Sequence, residues 1–365
     1  MLDRDLVIIG GGPAGLTAAK IASESGLKIL LIDRNPQLGG QLIKQTHMFF
    51  GSEAQHAKTR GIDIARMLIN EVLSNDAIEV WTDATAVGLY RDSVVTVLKK
   101  VESGNKYFKI KAKAIIIATG ASEKVLGFAN NDLPGIFGAG AVQTLMNVYG
   151  VKPGSNLLMV GSGNIGLIVS YQLLQAGVNV VGVIEAAPTI GGYKVHASKL
   201  RRLGVPIYTS RTIKQAIGEH AVEKAITIAL DRDWNEIPGS EMEFDVDGIC
   251  IAVGLTPLSQ LMAMVGCEMK YISELGGLVP VIKNHQTSIA NIFACGDVVG
   301  IEEASSAIVE GYLTGLHAAK FLGKPQPNFE ALVKEYQDQL TNLRSGPFGA
   351  KIRKGLKLME DGNVI

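Results

Sequence analysis

The sequence has few cysteines, no excess of charge of either sign and no glycine repeat. Its three cysteines, Cys250, Cys267 and Cys295, lack the spacing of a disulfide framework, and so few thiols suit a reducing cytoplasm, where we expect the protein to reside. Lys plus Arg and Asp plus Glu each total 35, so the formal net charge is zero. This balance argues against a nucleic-acid partner. The 42 glycines follow no triplet period, which excludes a collagen-like chain.

The sequence also offers little that would direct the chain to a membrane. Asp3, Arg4 and Asp5 precede the first apolar stretch, which is not the pattern of a signal peptide. Residues 153–184 carry no charge, but they contain several glycines and asparagines. A membrane span is one interpretation of this run, and a buried strand, turn, helix and strand is the one that its composition favours. We therefore predict no membrane span.

Two glycine-rich turns, each following an apolar strand, are the most informative feature that is present. The first reads GGGPAG at residues 10–15, and the second reads GSGNIG at residues 161–166. Each is followed by a second apolar strand that ends in an acid, Asp33 or Glu185. This spacing lets a carboxylate reach an adenosine ribose while the pyrophosphate rests on a helix N-terminus. Two such sites predict two bound dinucleotides and electron transfer between them.

The order of the motifs predicts a discontinuous domain organisation. A strand ending at Gly120 follows the first copy, a similar strand ending at Gly254 follows the second, and a third ends at Gly296-Asp297. We expect an α/β fold with two Rossmann-like domains, the second inserted into the first. The first domain would comprise residues 1–121 and 252–325, and the second residues 122–251. Residues 326–365 form a tail, with a helix capped by Asn328 and an apolar stripe at helical spacing made by Phe329, Leu332, Val333, Tyr336, Leu340 and Leu343.

Taken together, residues 5–322 resemble the two-dinucleotide flavoprotein superfamily of glutathione and thioredoxin reductases. The two glycine turns, Ala118-Thr119-Gly120 and Gly296-Asp297 occur in that family's order. The resemblance implies that FAD is held by Gly10, Gly12, Pro13, Ala14, Gly15, Asp33, Arg34, Gly40, Gln41, Ala118, Thr119, Gly120, Gly296 and Asp297. It also implies that NAD(H) is held by Gly161, Gly163, Asn164, Ile165, Gly166 and Glu185. No arginine follows Glu185 directly, which favours NAD over NADP.

The sequence departs from the disulfide reductases of this superfamily because no CxxC pair is present. Without two adjacent thiols there is no disulfide relay, so we predict that the protein is not a disulfide reductase. The three cysteines are interpreted as buried packing residues. His47 follows Gly39-Gly40 closely and is the one candidate catalytic residue near the flavin, with a packed or solvent-exposed histidine as the alternative. No metal site is predicted.

Residues 128–135, which read FANNDLPG, are similar to another branch of the superfamily. That branch contains the α-type subunits of sarcosine oxidase, hydrogen cyanide synthase, opine oxidase and dye-linked proline dehydrogenase. The resemblance implies that the partner is a second flavoprotein subunit, and an iron–sulfur subunit is a further candidate. The tail has no cysteine, so it holds no cluster itself. The uncharged segment 133–151, with Phe137 and Tyr149, is predicted to dock the partner, or else to pack between the two domains.

Thioredoxin reductases open their last helix with Arg-Gln-Ala beside the flavin, and the matching positions here read Glu302-Glu303-Ala304. These acids either complement the dipole of a helix or disfavour an anionic reduced flavin. The leading hypothesis is an FAD-dependent subunit of a heteromeric amine or amino-acid dehydrogenase. A stand-alone NADH:acceptor reductase for ferredoxin or quinone is the second hypothesis. A non-catalytic scaffold subunit that binds an adenine nucleotide is the third.

Overall fold

The computed structural model describes residues 1–347 and 349–360, and the chain forms two compact units. Unit 1 consists of Met1–Ser122 and the described residues from Thr256 onward, and unit 2 is Glu123–Leu255. Unit 2 thus interrupts unit 1 along the chain. The predicted α/β fold with two Rossmann-like domains, one inserted into the other, is confirmed. The helices of the tail belong to unit 1.

The elements are numbered in chain order. Up to residue 123 the chain forms β1 (Leu2–Ile9), α1 (Pro13–Ser23), β2 (Ile29–Ile32), α2 (Gly61–Leu73), β3 (Ile78–Trp81), β4 (Ala84–Leu89), β5 (Val94–Val101), β6 (Gly104–Ile117) and β7 (Ala121–Glu123). Unit 2 continues with β8 (Ile136–Gly138), α3 (Ala139–Asn147), β9 (Asn156–Val160), α4 (Asn164–Gln175), β10 (Asn179–Ile184), α5 (Lys194–Arg202), β11 (Ile207–Tyr208), β12 (Arg211–Ile217), β13 (Lys224–Ala229), β14 (Met242–Asp245) and β15 (Gly248–Ile251).

From residue 255 the chain forms β16 (Leu255–Pro257), α6 (Gln260–Val265), β17 (Met269–Ile272), β18 (Gly277–Pro280), β19 (Ile282–Lys283), β20 (Gln286–Thr287), β21 (Ile292–Ala294), α7 (Ala304–Phe321), α8 (Phe329–Leu343) and α9 (Ala350–Glu360). Short 3₁₀ turns occur at Gly40–Lys44, Glu53–Gln55, Ser273–Leu275 and Gly296–Val298.

Unit 1 is built on a nine-stranded sheet whose centre is parallel. The main strand order is β19-β20-β21-β6-β1-β2-β3, and β5 pairs with β6 and with β4. Leu6 of β1 lies opposite Ala114 of β6 on one side and Ile29 of β2 on the other. Residues 6–9 of β1 are all apolar and buried, as expected of a parallel strand covered on both faces. The carboxyl ends of β1, β2, β6 and β21 therefore share one edge of the sheet.

Unit 2 has a five-stranded parallel sheet in the order β11-β10-β9-β15-β8 and a three-stranded antiparallel sheet, β12-β13-β14. The uncharged run at 153–184 forms β9, the second glycine turn, α4 and β10, as predicted. In the part of the chain that the structure describes, no helix combines the length and apolarity that a membrane crossing requires.

Helices α1 and α7 of unit 1 approach each other closely because α7 has glycines at the contact. An added Cβ at Gly311 would lie 2.2 Å from the Ala14 carbonyl oxygen, and one at Gly315 would lie 2.6 Å from that of Ala18. The Thr17 hydroxyl of α1 donates to the Ile308 carbonyl at 2.9 Å. This contact fixes the start of α7 beside the start of α1.

The tail packs on unit 1 through two helices. Helix α8 follows Asn328, and its predicted apolar stripe is the face that packs against Leu313 and Leu316 of α7. The Tyr312 and Tyr336 rings stack with their centroids 4.9 Å apart. In the tail, α9 buries Ile352 and Met359 in a small cluster that also contains Leu275. Apolar contacts therefore hold α8 in place.

Candidate cofactor sites

The first glycine turn joins β1 to α1 and can form only with glycine at particular positions. Gly10 has φ +112°, and a Cβ there would lie 2.2 Å from the Ala118 carbonyl oxygen. A Cβ at Gly15 would lie 1.8 Å from the Gly10 carbonyl oxygen. These two glycines are therefore required by the fold itself, because the turn, α1 and the end of β6 touch through backbone atoms.

Gly12 is different, because the fold does not require a glycine there. It precedes Pro13 at the start of α1, and an added Cβ would meet only the Gly40 Cα, at 3.8 Å. The first turn of α1 contains no acidic residue, so the positive end of the helix dipole has no internal counter-charge there. We call the open space at Gly12, in front of the N-terminus of α1, the first cradle. A side chain at residue 12 would fill this space, and an empty space at a helix N-terminus fits a pyrophosphate.

Asp33 follows β2 and is buried with its carboxylate already oriented. One oxygen accepts the Gly11 N–H at 2.7 Å, and the other accepts the Asn35 N–H at 2.8 Å. The side chain thus lies beside the glycine turn, where a ribose would be bound. Arg34 and Gln41 lie nearby in the chain with exposed side chains. Gly39 donates its N–H to the Gly11 carbonyl at 2.8 Å, which brings the Gly39-Gly40 loop onto the turn.

The end of β6 forms another wall of this site. Ala118 donates its N–H to the Ile9 carbonyl at 2.8 Å, and the Thr119 hydroxyl donates to the Leu258 carbonyl at 2.8 Å. Gly120 follows directly. His47 is half-buried, and its ring stacks on Phe49 with centroids 6.0 Å apart. Its role as a catalytic residue stays a prediction.

Gly296 and Asp297 follow β21 and lie against α1, since an added Cβ at Gly296 would be 2.9 Å from the Ala14 Cβ. The Asp297 carboxylate accepts the Glu302 N–H at 3.3 Å. Burial raises the pKa of Asp297 to about 7, and the neighbouring Glu310 and Glu302 add to the rise. An acceptor oxygen is therefore available beside the first glycine turn, where the resemblance expects one.

Sequence reasoning did not find a buried ionic cluster next to Asp297. Arg344, at the end of α8, donates Nε–H to the Glu302 carboxylate at 3.0 and 3.1 Å, and its Nη2 is 2.6 Å from the same carboxylate. Nη2 also lies 2.5 Å from Glu310. Burial raises the pKa of both glutamates, and Arg344 opposes that rise. Glu310 is the only acid in the α7 sequence, which is the signal that could have drawn attention to it.

Unit 2 repeats the first turn almost contact for contact. Gly161 has φ +107° and would place a Cβ 2.3 Å from the Ala252 carbonyl oxygen, whereas Gly163 has open space around it. Gly166 would place one 2.1 Å from the Gly161 carbonyl oxygen. At the start of α4 the Asn164 side chain accepts the Tyr193 N–H at 2.8 Å, and Ile165 is 40% exposed. The same cradle, with the same unfilled space at its central glycine, is therefore present twice.

Glu185 occupies the place in unit 2 that Asp33 occupies in unit 1. One carboxylate oxygen accepts the Ser162 N–H at 2.9 Å and the Ser162 hydroxyl at 2.6 Å. The other accepts the Ala187 N–H at 2.9 Å. The carboxylate is fixed beside the turn, where a ribose 2′-phosphate would be repelled.

We expect NADH to reduce the bound flavin more efficiently than NADPH, by roughly tenfold or more. Glu185→Gln keeps the size of the side chain but removes its charge and one of the two oxygens that accept from Ser162 and Ala187, so the preference for NADH should narrow. Stopped-flow measurement of flavin reduction with each nucleotide tests this. Glu219→Gln, at an exposed site of unit 2, is the control. Equal rates with NADH and NADPH in the unaltered protein would contradict the assignment of Glu185 to a ribose.

All three cysteines are free and buried, as the sequence predicted. Burial raises the pKa of the Cys250 and Cys295 thiols, which keeps them protonated and unreactive. Within residues 1–347 and 349–360, no group of three or more His, Cys, Asp or Glu side chains could hold a metal ion.

Replacing Cys250, Cys267 and Cys295 together by alanine should leave flavin reduction by NADH within about twofold of the unaltered protein, because buried protonated thiols are poor nucleophiles. The triple variant should lose stability, by about 1–3 kcal/mol, because each replacement leaves a small cavity. Anaerobic reduction kinetics and thermal melting measure the two effects. Turnover that disappears in the triple variant while its flavin stays bound would show that a thiol takes part.

The uncharged segment 133–151 forms β8 and α3, and only part of it is open to solvent. Phe137 and Met146 are half-buried against the core of unit 2, so Phe137 is less open than the sequence suggested, and its place in a docking surface stays a prediction. Tyr149 and Val151 are 67% and 48% exposed. The difference arises because β8 pairs with β15, which turns Phe137 toward the apolar core that α3 covers.

Each of the two parallel-sheet units has the geometry of a dinucleotide-binding domain, with a glycine turn at a helix N-terminus and a fixed carboxylate beside it. The chain belongs to the pyridine nucleotide-disulphide oxidoreductase family, whose sequence pattern matches residues 4–311. It is therefore a member of an oxidoreductase family, and the predicted resemblance is confirmed. Arg344 lies beyond the matched region.

The relatives include components of multi-subunit oxidases. The chain is 27% identical over 333 residues to the alpha subunit of sarcosine oxidase from Corynebacterium sp. (strain P-1), covering 87% of this chain and 33% of that subunit. It is 28% identical over 345 residues to one subunit of opine oxidase from Agrobacterium tumefaciens (strain Ach5), covering 86% and 65%. The structure resembles that of L-proline dehydrogenase from P. horikoshii, with a TM-score of 0.69 and 23% identity over 93% of this chain and 59% of that one. The chain thus spans between a third and two thirds of these proteins.

Proposed function

We propose that this chain is an FAD-dependent oxidoreductase in which unit 1 holds FAD and unit 2 holds NAD(H). The observation that carries the proposal is the repeated cradle, in which Gly12 and Gly163 leave room for a pyrophosphate beside a fixed carboxylate. FAD is favoured over FMN because Asp33 would accept a hydrogen bond from an adenosine ribose, which FMN lacks, whereas Asp297 would accept from the ribityl hydroxyls that both flavins carry. Bound together, the cofactors supply hydride transfer between nicotinamide C4 and flavin N5.

The protein's own contribution would be binding and orientation. The N-termini of α1 and α4 favour pyrophosphate groups. The Gly39-Gly40 loop and the Ala118–Gly120 segment border the first cradle and would exclude water from it. The three buried thiols support the view that the acceptor is not a disulfide.

We assign the chain to a heteromeric amine or amino-acid dehydrogenase, in which it is the α-type subunit. The support is the similarity to subunits of sarcosine oxidase and opine oxidase over more than four fifths of this chain. A partner flavoprotein would oxidise the amine, and this chain would pass electrons between its flavin and a nicotinamide or another acceptor. An iron–sulfur subunit is a further candidate partner.

The experiment is a native mass measurement of the protein purified from its source organism. Anaerobic visible spectra are recorded on the same material before and after NADH is added. A complex with a second flavoprotein, and flavin bands that bleach, are expected. An active monomer whose flavin bleaches supports the second candidate, a stand-alone NADH:acceptor reductase, which the fixed Glu185 site favours. A protein that binds a nucleotide but shows no flavin bands would be a scaffold and would overturn both.

Tyr149 offers a direct test of where the partner docks. Tyr149→Glu places a charge on the exposed end of the uncharged segment, so it should weaken assembly by roughly tenfold or more while FAD stays bound. The comparison is Tyr271→Glu in unit 1, since the two tyrosines are 67% and 69% exposed. Co-purification yield and analytical ultracentrifugation report the outcome. Full assembly of the Tyr149 variant would place the partner elsewhere.

A further inference from the structure

The tail contributes one charged side chain to the interior of unit 1. The side chains of Arg344, Glu302 and Glu310 are 16%, 9% and 6% exposed, so the guanidinium and both carboxylates are largely removed from water. Ion pairs this well shielded are screened little by salt, and losing one partner leaves an uncompensated charge.

The cluster is connected by hydrogen bonds to the turn that carries Asp297. The second carboxylate oxygen of Glu310 accepts the Gly296 N–H at 2.7 Å. The Glu302 N–H is donated to the Asp297 carboxylate at 3.3 Å. Arg344 contacts the carboxylates of both glutamates. It is therefore linked to Gly296 through the Glu310 carboxylate and to Asp297 through the backbone of Glu302. Because Gly296 lies against Ala14, this turn borders the first glycine turn and its proposed pyrophosphate cradle.

The tail offsets part of the negative charge in this region. Asp297, Glu302 and Glu310 supply three carboxyl groups, and Arg344 is the cation that contacts two of them. A dinucleotide brings two further negative charges to the neighbouring cradle. Removing the guanidinium would therefore increase the repulsion that an anionic ligand meets.

We propose that Arg344 is a positioning residue of the dinucleotide site in unit 1, through which the tail sets the affinity for FAD and the reduction potential of the bound flavin. It acts through Glu302 and Glu310, which fix the Gly296-Asp297 turn and determine the charge beside the cradle. This inference rests on the proposed function, since it requires FAD in unit 1.

The apolar contacts of the tail allow the charge to be tested without removing the tail. Phe329, Val333 and Leu340 anchor α8 on α7, and the apolar cluster that they form includes none of the ionic residues. Arg344→Met keeps an unbranched side chain similar to the aliphatic stem of arginine and removes the charged guanidinium. Lys334→Met removes one positive charge from an exposed position on the same helix and serves as the control.

The measurements are titration of apo-protein with FAD and the midpoint potential of the loaded protein against a reference dye. Arg344→Met should bind FAD roughly tenfold more weakly and shift the potential to more negative values, because reduced flavin is anionic. Glu302→Gln removes a negative charge and should shift the potential to more positive values. The double variant Glu302→Gln/Arg344→Met should return close to the unaltered protein, and Lys334→Met should match it.

A purely structural role would lower the melting temperature of apo Arg344→Met but would leave the potential unchanged, and that result overturns the proposal. If Arg344→Met does not fold, the midpoint potential of Glu302→Gln is the test. A potential that does not become more positive in that variant overturns the proposal equally. An unaltered protein that binds no FAD would instead refute the proposed function, so the two failures are distinguishable.

Discussion

Gly12→Val should yield a folded protein that retains no FAD. The backbone at Gly12 is extended, with φ −79° and ψ −173°, a conformation open to any residue. An added Cβ would make only an ordinary contact with the Gly40 Cα, at 3.8 Å. The valine would instead fill the space through which a pyrophosphate must approach the N-terminus of α1. We expect the affinity for FAD to fall at least about a hundredfold, or roughly 2.7 kcal/mol.

Gly163→Val is the matched variant, because Gly163 holds the equivalent position in unit 2. It should leave FAD bound and abolish reduction of the flavin by NADH. Flavin content after gel filtration and circular dichroism of each variant make the comparison. Gly10→Ala is the opposite control and should prevent folding, because its Cβ would lie 2.2 Å from a carbonyl oxygen. A yellow, stoichiometrically loaded Gly12→Val protein would refute the assignment of this turn to FAD.

Asp297→Asn should make the apo-protein more stable at pH 8 and weaken its binding of FAD. The Asp297 pKa is raised to about 7 by burial, with further rises from Glu310 and Glu302, whereas an unfolded aspartate titrates near 3.9. Between those two values the folded protein holds a proton that the unfolded chain has lost. The free energy of unfolding therefore falls as the pH rises from about 4 to about 7, and the lost stability does not return above that range.

Asparagine cannot ionise, so the variant should lack this pH dependence. At pH 8 the gain should be about 4 kcal/mol, because the two pKa values differ by about 3 units and each unit corresponds to about 1.4 kcal/mol. FAD should bind roughly tenfold more weakly, since a charged acceptor for a hydroxyl is lost. Urea unfolding of apo-protein at pH 5 and pH 8, with exposed Asp76→Asn as control, gives the first result. Lower stability of Asp297→Asn at pH 8 would show that the carboxylate is ionised and well solvated in the fold.

The parts of the site that the sequence predicted are those that depend on short separations. Gly10, Gly15 and Asp33 define a strand, a turn and a second strand within 24 residues. Each of the two glycines stands where another backbone segment comes too close for any side chain. The same local logic applies to Gly161 and Glu185. The order of these repeats was enough to predict one unit interrupting the other, because each must complete its own parallel sheet.

The parts that were missed depend on contacts between distant segments. Arg344 meets Glu302 across 42 residues and Glu310 across 34, and no local pattern relates those positions. The partial burial of Phe137 was missed for a similar reason, because it follows from the pairing of β8 with β15. Helix α9 places Ile352, Leu356 and Met359 at helical spacing, but their packing with Leu275 joins distant parts of the chain.

The glycine contact between α1 and α7 has a consequence for how the protein is made on the ribosome. The groove of α1 at Ala14 and Ala18 is filled by Gly311 and Gly315, which are synthesised nearly 300 residues later. The strand β21, which completes the parallel array beside β6, also appears late. Unit 2, in contrast, has all of its strands within Glu123–Leu255. Unit 2 can therefore complete its fold before the last helices of unit 1 have been synthesised, and the incomplete first cradle is exposed to aggregation during that interval.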